Sequence, residues 1–139
     1  MFNKIIVGID GSPQSLRAAA AAGDLARMGD TTLFIVVAYE PLPRNLGESI
    51  LQPLIAEQII AAEELYDRAL IECGKIQGTI VKEIMEGPPA EAILAVAQTR
   101  EVELIVMGTR GLGKLASFVL GSQSMKVVSE STCPVLLVK

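Results

Sequence analysis

The sequence predicts an α/β protein of the open-sheet kind, with parallel strands in the middle and helices on both faces. Three observations lead there. Five short, mostly apolar runs, over residues 4–10, 31–39, 78–85, 104–107 and 134–138, alternate with stretches of helical character in the order β-α-β-α-β-α-β-α-β. Most of the runs are apolar at nearly every position instead of every second one, as strands buried on both faces require. The chain is 139 residues long, half of them hydrophobic and 20% charged, which fits one domain, residues 1–139, with a core of its own.

The first run, residues 4–10, is β-branched and ends in Asp10. Gly11 turns the chain, Ser12 is suited to cap a helix and Pro13 to its first turn. That helix is expected to reach about Met28 and stop at Gly29, with an inner stripe of Leu16, Ala19, Ala20 and Gly23. A lone acid at a strand end is most often a turn former, but at the end of the first strand of such a sheet it also stands where ligands are met. The ligand-facing reading of Asp10 is preferred.

After the second strand, residues 40–52 show no clear periodicity and read as a loop able to lie over a site. A long helix is expected from about Pro53 to Lys75. Ile55, Ile59, Ala62, Tyr66, Ala69, Cys73 and Ile76 fall at steps of four and three, one apolar face, which puts Cys73 in the core as a structural thiol. Residues 78–85 alternate more, as an edge or near-edge strand does. Residues 86–89 turn into a short helix over 90–98. Residues 104–107 form the fourth strand. A helix opening at Ser122 is expected to turn Met125 and Val128 inward and to stop at Cys133-Pro134. The last strand follows, and its apolar character at a sheet edge invites pairing with a second copy.

Composition excludes several functions. The formal net charge is −4 with no basic patch, so nucleic acid is not an expected partner. There is no histidine, so a Ser–His or Cys–His catalytic pair cannot form, and the two cysteines have no metal-ligand spacing. No apolar run is long enough to span a bilayer, and the first residues lack a signal-peptide layout, so a cytoplasmic protein is expected.

The chemistry concentrates in residues 104–124, where a buried strand runs into a glycine-rich loop and a helix start. Glycines let the backbone come close to a ligand, and a helix start offers unpaired N–H groups and a positive dipole end. Gly108 to Lys114 satisfies G-x4-G-K, but Leu115 stands where a P-loop needs a hydroxyl for Mg²⁺, so that motif fails. Gly108, Gly111, Gly121 and Ser122 fit G-x2-G-x9-G-[ST] without exception. With this motif and its element order, the chain resembles, from end to end, the ATP-binding subgroup of the universal stress protein family.

That resemblance implies a Rossmann-like sheet of strand order 3-2-1-4-5, whose reversal lies between the strand ending at Asp10 and the one ending at Gly108. It places Asp10 and Val37 at adenine and ribose, and Met107 and Gly108 near the ribose. Gly111, Gly121, Ser122, Gln123 and Ser124 would approach the phosphates through N–H groups and hydroxyls; Ser12 and Arg110 are candidate extra contacts that the family pattern does not assign. The implied ligand is ATP, with Mg²⁺ or Mn²⁺ held mainly by its phosphates. The resemblance further implies a homodimer formed through the C-terminal strand. Pro88 departs from the family's polar cap at the start of the third helix.

The leading functional expectation is a nucleotide-dependent regulatory module in stress response. No base able to activate water is evident, so turnover is expected to be weak if it occurs at all. The alternatives are a slow ATPase or an enzyme that phosphorylates itself at Ser122 or Ser124, and a dimeric scaffold that binds no nucleotide.

Overall fold

In the computed structural model, which describes residues 2–109 and 121–139, nine elements follow one another. They are β1 (Lys4–Ile9), α1 (Pro13–Ala26), β2 (Thr32–Tyr39), α2 (Glu48–Cys73), β3 (Thr79–Glu86), α3 (Pro89–Thr99), β4 (Leu104–Gly108), α4 (Ser122–Glu130) and β5 (Val135–Val138). The strands form one five-stranded parallel sheet in the order β3-β2-β1-β4-β5. This is the expected strand order. Its reversal lies between β1 and β4, where Ile5 faces Leu104 and Val7 faces Val106.

Side chains alternate across the sheet and build two cores. Ile5, Val7, Ile9, Ile35, Val37 and Val106 face α1 and α2, whose Ala18, Ala22, Ala62, Ala69 and Cys73 meet them. Ile6, Phe34, Val36, Ile105 and Met107 face α3 and α4, against Ala90, Ile93, Val96 and Val127. With no tryptophan and few aromatics, aliphatic side chains fill both layers, and small residues let the helices lie close. Gly23 of α1 shows how close: a Cβ there would collide with the carbonyl oxygen of Cys73 at the end of α2. Arg27, just past α1, donates to that same carbonyl at 2.8 Å and to that of Lys75 at 3.1 Å. A cation thus satisfies carbonyls that the end of α2 would leave unpaired.

Several elements differ from the sequence-based expectation. α1 ends at Ala26, and its buried stripe is Ser15, Ala18, Ala19, Ala22 and Gly23, so Leu16 and Ala20 sit at its margin. α2 starts at Glu48, which shortens the loop and puts Pro53 inside the helix. The cost to α2 is one intrahelical bond, because proline has no N–H to give. Ile59 is exposed, and the buried residues of α2 are Leu51, Ala62, Ala69 and Cys73. In α4 the inward residues are Ser124 and Val127, whereas Met125 is 54% and Val128 46% exposed. That face is chosen by a polar anchor at Ser124, which hydrophobic periodicity does not register. β3 and β5 are the two edges, as their patterns predicted.

Candidate functional site

A cleft of about 440 Å³ opens beyond the carboxyl ends of the strands. Asp10 after β1 and Ala38, Tyr39, Glu40 and Pro41 at the end of β2 form one side. Gln58, Ala61, Ala62 and Leu65 of α2 form a wall, and Gly87, Pro88 and Pro89 with Gln123 of α4 close it from the opposite layer. The cleft therefore bridges both helical layers at the end of the sheet where open α/β folds meet their ligands. Among the described residues its charged lining is two carboxylates, Asp10 and Glu40, with no lysine or arginine. That set accepts hydrogen bonds and disfavours an anion within the cleft itself. It suits a neutral, donor-bearing group in apolar surroundings.

Asp10 is held in a tight turn. Its Oδ1 accepts from the Ser12 N–H at 2.8 Å, and its own N–H donates to Ser15 Oγ at 3.3 Å. Ser12, buried and extended, caps α1 by accepting the Ser15 N–H at 3.1 Å. The sequence signals for this turn were complete: an acid, a glycine, a capping serine and a proline.

The start of α4 is built differently. Its N-cap is Gly121, whose N–H donates to the Thr109 carbonyl at 2.8 Å. Ser124 is buried and its hydroxyl donates to the Gly108 carbonyl at 2.7 Å. The helix has neither a side-chain cap nor an acidic residue in its first turn. α1 is capped by Ser12, and α2 carries Glu48 in its first turn. Among the described residues no side chain caps the N–H groups opening α4, and the helix dipole there favours a negative acceptor.

Gly108 has a packing reason to be glycine. A Cβ on it would lie 2.8 Å from Gln14 Cβ and 3.0 Å from the Ser15 nitrogen, so α1 could not approach the end of β4 so closely. Gln123 reaches across to α3, where its Oε1 accepts the Ala90 N–H at 2.9 Å. Pro88, at the N-cap of α3, gives no side-chain cap, and Gln123 supplies the acceptor from another helix.

Of the residues singled out from sequence, Asp10 and Gln123 line the cleft. Gly108, Gly121, Ser122 and Ser124 gather where β4 ends and α4 begins. Val37 and Met107 are buried, one in each core, and the cleft begins one residue past Val37. Gly111 and Arg110 lie outside the described residues, as do Gly113 and Lys114 of the rejected P-loop. The sequence reading did not single out Tyr39, Glu40, Gln58, Ala61, Leu65, Pro88 or Pro89 as site residues. The four-and-three spacing of 58, 61, 62 and 65 marks one helical face, a signal already present within the helix expected from Pro53 to Lys75. Among the described residues no group of three or more His, Cys, Asp or Glu side chains is placed to hold a metal ion. None of the described helices is long and apolar enough to cross a membrane.

Fold and cleft together define an open, doubly wound α/β protein with its pocket at the switch point of the sheet. The model of the universal stress protein family matches residues 1–139, so the chain belongs to that family. It is 43% identical over 139 residues to the Thermus aquaticus universal stress protein in the QAH/OAS sulfhydrylase 3' region, covering 100% of both chains. Among solved structures, a universal stress protein in complex with cAMP is 29% identical with a TM-score of 0.73, the match covering 99% of this chain and 97% of that one. Universal stress protein UspA from Lactobacillus plantarum shares the fold, with a TM-score of 0.84 at 21% identity over 99% of this chain and 97% of that one.

Proposed function

We propose that this protein is an ATP-binding regulatory module that acts by changing its own state or that of a partner, and that it works as a homodimer joined through β5. The observation that carries the reading is the pairing of two unlike regions at one switch point: a cleft whose charged lining among the described residues is two carboxylates, beside a helix start that no described side chain caps. An adenosine moiety, with its amino and hydroxyl donors and apolar rings, matches the cleft. Phosphates match the start of α4, through the N–H groups of Ser122, Gln123 and Ser124, with Gly121 and Gly111 leaving room for their approach. Asp10 would accept from the sugar, and Val37, Met107 and Gly108 would underlie the base and ribose. Mg²⁺ or Mn²⁺ would be held mainly by the phosphates and would screen their charge.

The cAMP complex of a 29% identical relative supports an adenine nucleotide. Regulation is favoured over catalysis because the Asp10 carboxylate is engaged by the Ser12 N–H and the Ser124 hydroxyl is buried and already bonded. Asp10 is assigned here to the sugar, away from the terminal phosphate, and the Ser124 hydroxyl is committed to the Gly108 carbonyl. For assembly, β5 is an edge strand whose Leu136 is 39% exposed, and Met125 and Val128 of α4 are exposed as well. Mass spectrometry of natively purified protein tests the ligand reading, with co-purifying adenine nucleotide expected. A protein that neither carries a nucleotide nor binds added ATP by calorimetry overturns it.

A further inference from the structure

We infer that Gln123 serves two elements at once: its amide oxygen caps α3, and its amide hydrogens are thereby turned toward the cleft as a donor to an acceptor oxygen where the sugar meets the phosphates. The inference rests on the nucleotide reading above and adds a side-chain contact to it.

The orientation of the amide follows from chemistry. A backbone N–H can only donate, so the atom 2.9 Å from the Ala90 nitrogen must be the Gln123 oxygen. The NH₂ group is then the remaining polar part of a side chain that lines the cleft, and it has no acceptor among the described residues. Gln123 also sits in the first turn of α4, between Ser122 and the buried Ser124. It therefore stands where the carboxylate-lined cleft gives way to the N–H groups of the helix. A donor there complements Asp10: one accepts from the ligand, the other donates to it.

Pro88 explains why this oxygen is needed at α3. Pro88 is extended, at φ −63° and ψ 140°, and offers no cap. Ser12 holds nearly the same backbone conformation, φ −66° and ψ 154°, at the start of α1, where a proline also follows and where it does cap. A serine at position 88 can therefore cap α3 locally, which allows the two roles of Gln123 to be separated.

The test uses four proteins: the unaltered chain, Gln123→Ala, Pro88→Ser, and the two substitutions combined. Each is measured for melting temperature without ligand and for ATP affinity with Mg²⁺ by calorimetry. Losing a helix cap is expected to lower the melting temperature of Gln123→Ala by about 3 °C. In the Pro88→Ser background most of that drop should vanish. The loss of affinity from Gln123→Ala, about tenfold as for a hydrogen bond to a charged acceptor, should remain in that background. If Pro88→Ser removes the affinity loss together with the drop in melting temperature, Gln123 is only a cap and the donor role is overturned. If Gln123→Ala binds ATP as well as the unaltered chain, the donor role is likewise overturned. If the unaltered chain binds no ATP, the nucleotide reading itself falls and takes the donor with it, while the melting temperatures still report the cap.

Discussion

The buried hydroxyl of Ser124 donates a 2.7 Å hydrogen bond to the carbonyl of Gly108, sixteen residues earlier in the chain. The bond fastens the start of α4 to the end of β4 and fixes the distance between the switch point and the N–H groups of the helix. Ser124→Ala removes the donor and leaves a small gap, so it should cost about 1 to 2 kcal/mol. Urea denaturation checks this, and an unchanged midpoint would show that the bond contributes nothing.

The glycine motif is separable from the P-loop by mutation. At a hundredfold excess over its dissociation constant, a ligand that binds only the folded state stabilises it by about 2.7 kcal/mol, which amounts to several degrees of melting temperature. ATP with Mg²⁺ should raise the melting temperature accordingly. Gly121 has φ −60° and ψ 150°, a conformation any residue adopts, so Gly121→Val should fold, yet its branched side chain should abolish the rise by blocking the approach of phosphates. Gly113→Ala and Lys114→Ala should keep most of it. Loss of the rise in Lys114→Ala with retention in Gly121→Val would mean that the phosphates are held by a P-loop and not by the G-x2-G-x9-G-[ST] glycines.

Dimerisation through β5 is best probed at Leu136. Val135 and Leu137 pack against the core shared with α3 and α4, so a charge at either would unfold the strand as well as disrupt an interface. Leu136 is on the other side of the strand and 39% exposed. Leu136→Asp should yield a folded monomer, seen by light scattering together with an unchanged circular dichroism spectrum. An unaltered chain that is monomeric at micromolar concentration would rule the dimer out.

The two cysteines should differ in reactivity and in what pH does to them. Burial pushes the Cys73 thiol above its ordinary value of 9.0, with nearby Arg27 acting in the opposite direction. The folded state thus holds that proton more tightly than the unfolded state does. The stability this contributes is complete below pH 9 and is lost as pH rises through the folded-state value. Cys133 is only partly buried, its sulfur 3.5 Å from Ser131 Oγ. A thiol reagent at pH 8 should label one cysteine in the native protein and the second only in denaturant. Two thiols labelled at once in the native protein would contradict the burial of Cys73.

Pattern and local chemistry determined much of this protein in advance. Short β-branched apolar runs without alternation, bounded by turn residues, read as strands covered on both faces, so the layered α/β fold followed from the sequence itself. The turn at Asp10, Gly11, Ser12 and Pro13 was legible because every contact in it spans a few residues. Tertiary structure decided what depends on partners far along the chain. The face of α4 was misread because Ser124 finds its acceptor in β4, a contact that makes a polar residue the inward one and turns Met125 and Val128 out. The first turns of α2 were missed because packing of the whole helix tolerates Pro53 where local propensity forbids it. The cap of α3 was invisible for the same reason: Pro88 lacks it locally, and Gln123 brings it from a helix that meets α3 only once the sheet has formed. Periodicity records what a residue prefers, whereas a hydrogen bond between distant elements exists only after folding has brought donor and acceptor within reach.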